Sequence, residues 1–139
     1  MFITLANYDH IMNKRIIITA SIFGMLAVIL GAFGAHGLKS LINTTELATW
    51  QTAVQYHFYH VFALLFLSTF SRVKTRLINL SYWSFTIGIF LFSGSLYILA
   101  AKSILGISQT SFIGPVTPLG GLFFILGWAF LLLAAIRNK

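Results

Sequence analysis

The side chains able to do chemistry gather in two stretches. The first is Trp50-Gln51-Thr52-Ala53-Val54-Gln55-Tyr56-His57-Phe58-Tyr59-His60, and the second is Ser93-Gly94-Ser95-Leu96-Tyr97. Histidine titrates near neutral pH and ligates metals, so His57 and His60 could serve a proton relay or a metal pair. A serine such as Ser93 could act as a nucleophile beside a histidine base. Both acids of the chain, Asp9 and Glu46, lie outside the apolar stretches, so paired-carboxylate catalysis is excluded. No intramembrane carboxylate completes a metal set either. The chain has no cysteine, which removes thiol catalysis, zinc–cysteine sites and iron–sulfur clusters. A bis-histidine haem needs two ligands at one depth. His36 lies about 10 Å or more from the level of His57 and His60, counted at 1.5 Å per helical residue. Gly31-Ala32-Phe33-Gly34 follows no strand, so it is no phosphate-binding loop. The expectation is a non-enzyme with no cofactor and no metal.

The elements that position these residues must be membrane helices. The chain has 139 residues, 58% hydrophobic and 8% charged, with nine Lys+Arg against two acids. Its mean hydropathy is +0.91. Soluble domains are about a quarter charged. Four apolar stretches approach the roughly 20 residues that cross a bilayer: about 16–35, 47–70, 78–101 and 117–136. They leave no room for a soluble domain. The fold expected is all-α, a four-helix antiparallel bundle integral to the membrane, with 1–139 as one transmembrane domain. Residues 1–13 form a loose N-terminal tail, and Met12 would itself make a normal start. The first span imitates a signal peptide, but its length favours a retained helix.

A net charge of +7 would suggest nucleic acid in a soluble protein. Here the cations flank apolar runs, so no nucleic acid is expected. Lys14, Arg15, Arg72, Lys74, Arg76, Arg137 and Lys139 fall on one side, and Lys39 and Lys102 on the other. By the positive-inside rule both termini are cytoplasmic. Trp50 and Tyr97 suit the outer interface, and Tyr82 and Trp83 the inner one.

Small residues at steps of three and four let membrane helices approach closely. Ala20, Gly24, Ala27, Gly31 and Ala35 make such a stripe in the first span, with Gly34 beside it. Ser81, Ser84, Gly88 and Ser95, with Gly94, do so in the third. Gly120, Gly127 and Ala134, with Gly121, do so in the fourth. These stripes serve packing within the bundle, or between subunits of a homo-oligomer or with a membrane protein partner. Asn43-Thr44-Thr45-Glu46 has the form of a capping box, and Thr117-Pro118 that of a helix start. Glu46, Trp50, Ala53, His57, His60 and Leu64 share one face of the second span, and Gln51, Gln55 and Tyr59 an adjacent one. With His36, Ser93, Ser95, Tyr97 and Thr117, the polar residues concentrate in the outer half. The inner half is nearly pure hydrocarbon. Three readings of that cluster stand side by side: a structural polar core, a small binding or proton-relay site, and a metal or haem site.

Four segments carry a resemblance. Gly31-Ala32-Phe33-Gly34-Ala35-His36 comes first. Trp50-Gln51-Thr52 with Tyr56 and His60 follows, then Leu91-Phe92-Ser93-Gly94-Ser95-Leu96-Tyr97. Thr117-Pro118-Leu119-Gly120-Gly121 with Gly127-Trp128 comes last. In this order they resemble the YgdD/YwdK-like family, small bacterial inner-membrane proteins of unknown function with eukaryotic relatives. The likeness runs from about Met12 to Arg137. It implies four helices and a membrane location, and it brings no activity. His36, Tyr56 and His60 fall on its motifs and His57 does not, so the resemblance points to a shared role for those three.

The reading is a non-enzymatic membrane protein, an accessory or interaction protein whose outer-half polar cluster binds a partner, lipid or small ligand. The alternative is a small transporter or channel-like protein with His60 and its neighbours along a proton or solute path. For the topology, cysteines introduced at Ser40 and Thr75 label from opposite sides of the membrane with an impermeant maleimide. Labelling of Thr75→Cys from outside would overturn the orientation.

Overall fold

The structure, a computed structural model, describes residues 13–70 and 76–137. Arg72, Lys74 and Lys139 of the basic clusters therefore lie outside the described residues. Five helices follow one another. They are α1 Lys14–Leu38, α2 Thr44–Ser68, α3 Arg76–Ala100, the short α4 Lys102–Leu105, and α5 Val116–Arg137. No strand occurs among the described residues.

Each start has a local cause. The Asn13 side chain accepts a hydrogen bond from the Ile16 N–H and caps α1. The Asn13 N–H also donates to the Ser68 carbonyl at 2.8 Å, tying the start of α1 to the end of α2. Asn13 is thus a cap rather than tail, and residues 1–12 lie outside the described residues. A reciprocal capping box opens α2. The Asn43 side chain accepts from the Glu46 N–H at 2.9 Å, and the Glu46 carboxylate accepts from the Asn43 N–H at 3.2 Å. The same carboxylate accepts the Ser103 hydroxyl at 3.0 Å, fastening α4 to α2. Gly106 ends α4 at φ 66°, in the left-handed region that only glycine adopts freely.

Three of the four long helices, α1, α3 and α5, are long and apolar enough to cross a membrane. The count of four expected from sequence stands at three by this measure. The α2 helix has the length, 25 residues, but Gln51, Gln55, His57 and His60 dilute its apolar run.

The long helices pack through small residues. An added Cβ at Gly24, Gly31 or Gly34 of α1 would meet Val61, Val54 or the Trp50 indole of α2, the last at 2.5 Å. Ala35, expected in this stripe, is exposed, whereas Gly34 is buried. Contact at the outer end falls three residues after Gly31, not four. There α1 widens into a π-turn, Gly34–Leu38.

The central helix is α3. Its start meets α1, where Arg15 bonds Asn79 and Thr19 meets the Tyr82 hydroxyl at 3.0 Å. Its outer half packs on α2, and its length packs on α5. Gly88 lies under the Phe124 ring, Gly127 under the Phe85 ring, and Gly120 against the backbone of Leu91 and Phe92. A π-turn at Ile89–Ser93 interrupts α3 at that contact. By adding a residue to one turn it rotates the inward face, so Phe85 before it, Ile89 and Ser93 at its two ends and Ser95 after it are all buried. Gly94 has no neighbour within 4 Å of an added Cβ, so it makes no helix contact of the kind expected. Trp50 and Tyr82 are turned into the bundle rather than out of it, at 5% exposure each. Their polar ends bond inside the bundle, to the Leu30 carbonyl and to Thr19.

Gly120 and Gly121 make a built-in comparison. A methyl at Gly120 strikes α3 backbone, which cannot yield, while one at Gly121 meets the Phe92 ring at an ordinary 3.8 Å. Gly120→Ala should cost about 1–3 kcal/mol of stability as overpacking, and Gly121→Ala should be close to neutral. Reversible unfolding of both variants in mixed micelles checks the contrast; equal losses would contradict this packing.

Candidate functional site

The inward face of α2 carries Glu46, Trp50, Ala53, His57, His60 and Leu64, all buried. Around it α3 and α5 close an aromatic cage. The His60 imidazole lies flat on Phe124, with ring centroids 3.4 Å apart and planes 5° from parallel. Phe85 and Trp128 approach the same imidazole at 5.5 and 6.3 Å. One turn toward the outside, Tyr56 stacks against Phe92 at 4.7 Å. Phe23 of α1 meets the His57 ring edge-on at 5.7 Å.

Polar atoms inside this cage are only partly matched. The His60 Nδ1 donates to the Tyr56 carbonyl at 2.8 Å. A carbonyl only accepts, so this bond places a proton on Nδ1. In the neutral ring, Nε2 is then a bare acceptor. The His57 Nδ1 lies 3.3 Å from the Tyr97 hydroxyl, a long hydrogen bond. Tyr97 in turn lies against Trp50 at 4.7 Å. Ser95 and Thr117 share a hydrogen bond of 2.6 Å between α3 and α5. The His57 Nε2, His60 Nε2 and Ser93 Oγ are buried without a partner. A buried polar group left unmatched costs about 1–3 kcal/mol, so these three atoms are where water or a ligand group would be most welcome. With Ser93 Oγ unpartnered, no serine–histidine pair is assembled for nucleophilic attack.

Two hollows border the cage. One, about 450 Å³, lies between α2, α3 and α5. Tyr56, His60, Phe92 and Phe124 line it from within, and Pro118, Gly121, Leu122, Ile125 and Trp128 of α5 complete it. Leu122, Ile125 and Trp128 are exposed, so the groove opens on the outer surface of the bundle. The other, about 210 Å³, lies in the outer half between α1 and α2 beside Gly31, Gly34, Trp50, Gln51 and Gln55.

The candidate residues therefore divide. His57, His60, Ser93, Ser95, Tyr97, Tyr56, Trp50 and Thr117 gather inside or at the edge of the cage. Gln51 and Gln55 face outward and are exposed. His36 is exposed on the π-turn of α1, and among the described residues no hydrogen bond or ring contact joins it to Tyr56 or His60. The trio suggested by the family motifs is thus two residues and an outlier, separated by depth. The inner half is not pure hydrocarbon either. Ser68, Ser81, Ser84 and Thr86 are buried there. Three of them bond backbone carbonyls, Ser81 reaching Gly127 across to α5 at 2.8 Å. The signal missed was local, because a hydroxyl needs only a nearby carbonyl to be tolerated in lipid. Phe124, which covers His60, has no polar signature that marks it in the sequence.

Comparison with known proteins places the chain. A family model described as protein of unknown function (DUF423) matches residues 30–121. The chain is 40% identical to the UPF0382 membrane protein SAB0533 of Staphylococcus aureus (strain bovine RF122 / ET3-1), over 89% of this chain and 97% of that protein. It is 41% identical to the UPF0382 membrane protein YwdK of Bacillus subtilis (strain 168), over 89% of this chain and 98% of YwdK. A third relative, the UPF0382 membrane protein SH2409 of Staphylococcus haemolyticus (strain JCSC1435), is 36% identical over 89% of this chain and 97% of its own length. No solved structure matches the chain. The chain belongs to the DUF423 family and is a membrane protein.

Proposed function

We propose that the protein is a non-enzymatic accessory protein of the bacterial plasma membrane, with both termini cytoplasmic, that holds a lipid-soluble molecule in the groove between α2, α3 and α5. The observation that carries this reading is the groove itself. Its volume, about 450 Å³, lies in the range of ligand pockets, about 300–1,000 Å³. It runs along α5 from Pro118 to Trp128, about 15 Å at 1.5 Å per residue, from the outer end of the bundle to its middle. Its walls are rings and aliphatic chains, which suit an apolar body. Tyr56 and His60 are its polar wall residues apart from backbone.

The conduction reading fares worse. On the inner side of His60 the core closes with Leu64, Leu67, Ile78 and Phe85, each at 4% exposure or less. A proton or solute path would need polar groups through that layer. Buried Ser68 and Ser81 are already committed to carbonyls.

The test fills the groove without touching the packing. Gly121→Leu starts from a position where a Cβ is tolerated and sends its side chain into the groove it lines. Native mass spectrometry of protein released from membranes in mild detergent should show an apolar adduct on the native chain. The adduct should fall about tenfold in Gly121→Leu, equal to about 1.4 kcal/mol of binding, while helix content is unchanged. Identical adduct spectra would remove the groove from consideration.

A further inference from the structure

A polar side chain that a membrane helix turns outward needs a partner, because lipid tails supply none. Two on α2 lack one. Gln51 and Gln55 are one turn apart and exposed, and among the described residues neither amide has a hydrogen bond. Gln55 stands eleven residues into α2, about 16 Å from its first residue at 1.5 Å per residue. Counted from residue 47, where the second span is expected to begin, Gln55 lies about 12 Å in, farther than its own side chain reaches back. The two amides edge the shallow hollow between α1 and α2, where Gly31, Gly34 and the exposed Ala35 of α1 form the other wall.

We propose that this outer-half seam of α1 and α2 is the contact face for a second copy of the chain. The carboxamide is self-complementary, since each carries both donors and an acceptor. About a two-fold axis, the same residues meet their own counterparts, so each glutamine can donate to and accept from its mate in the other copy. A lipid phosphate would satisfy only the donors. The neighbouring small residues allow close approach of backbones, as membrane helix contacts require. No charged residue lies among the lining residues of the hollow, so nothing there repels a copy of itself. The contrast with α5 identifies the face. Its outward residues, Leu122, Ile125 and Leu132 among them, are hydrocarbon that lipid covers at no cost. The seam is on other helices than the α5 wall of the aromatic groove, and it stands whether or not that groove holds a ligand.

The chain has no cysteine, so single introduced cysteines report proximity without background. Gln55→Cys and Leu132→Cys, each reconstituted in phosphatidylcholine vesicles at high lipid excess, are oxidised with copper phenanthroline. Gln55→Cys should give a covalent dimer and Leu132→Cys should stay monomeric. In parallel, energy transfer between differently tagged full-length chains is followed as lipid is added. The Gln51→Leu/Gln55→Leu double variant keeps good helix formers and should need about tenfold higher protein density to associate. Equal crosslinking at both positions, no crosslinking at Gln55, or undiminished association of the double variant would each overturn the proposal. So would a monomer that associates only with a different protein.

Discussion

The contact between α3 and α5 is made at backbone distance, and the rest of the molecule is arranged around it. Gly88, Gly120 and Gly127 remove the side chains that would hold these helices apart. Lipid provides no hydrophobic drive between helices, so packing of this closeness has to supply the attraction. It places Phe124 directly over His60 and Phe85 beside it, which makes the aromatic cage. It also coincides with the π-turn of α3. The wide turn gives up a regular stretch of helix and turns both Ser93 and Ser95 inward.

A second constraint is that polar groups in a bilayer must be matched from within. The structure meets it unevenly. At the outer end the Glu46 carboxylate is buried yet served by two donors. In the inner half the hydroxyls lean on carbonyls of their own or a neighbouring helix. Between these satisfied ends lies a layer at His57, His60 and Ser93 where three atoms are unmatched.

Much of this was legible in the residues. The all-helical class and most of the glycine seams follow from hydropathy and spacing, because membrane helices have so few ways to be built. The α2 capping box is a four-residue pattern with a single structural meaning. What sequence could not resolve was rotation about helix axes. On α2 the turn of about 100° per residue already separated His57 from Gln51, and the structure keeps that division; what spacing could not give is which of the two faces the other helices would cover. The π-turns compound this. In α3 the wide turn turns Ser93 and Ser95 inward, which a regular count does not anticipate, while Gly94 stays free of contact. Depth counted along the helices already set His36 apart from His60, and the structure leaves His36 exposed on the π-turn of α1.

The arginine at the start of α1 has a consequence for where the bundle floats. Arg15 bonds Asn79 and lies over the Tyr82 ring at 4.6 Å and near Trp83 at 5.9 Å. A guanidinium held by aromatic rings is a waterline mark: sinking would drag its charge into hydrocarbon, and rising would strip Trp83 from the interface it favours. Immersion is thereby set at one rim of the protein and transmitted through rigid helices to every level above it.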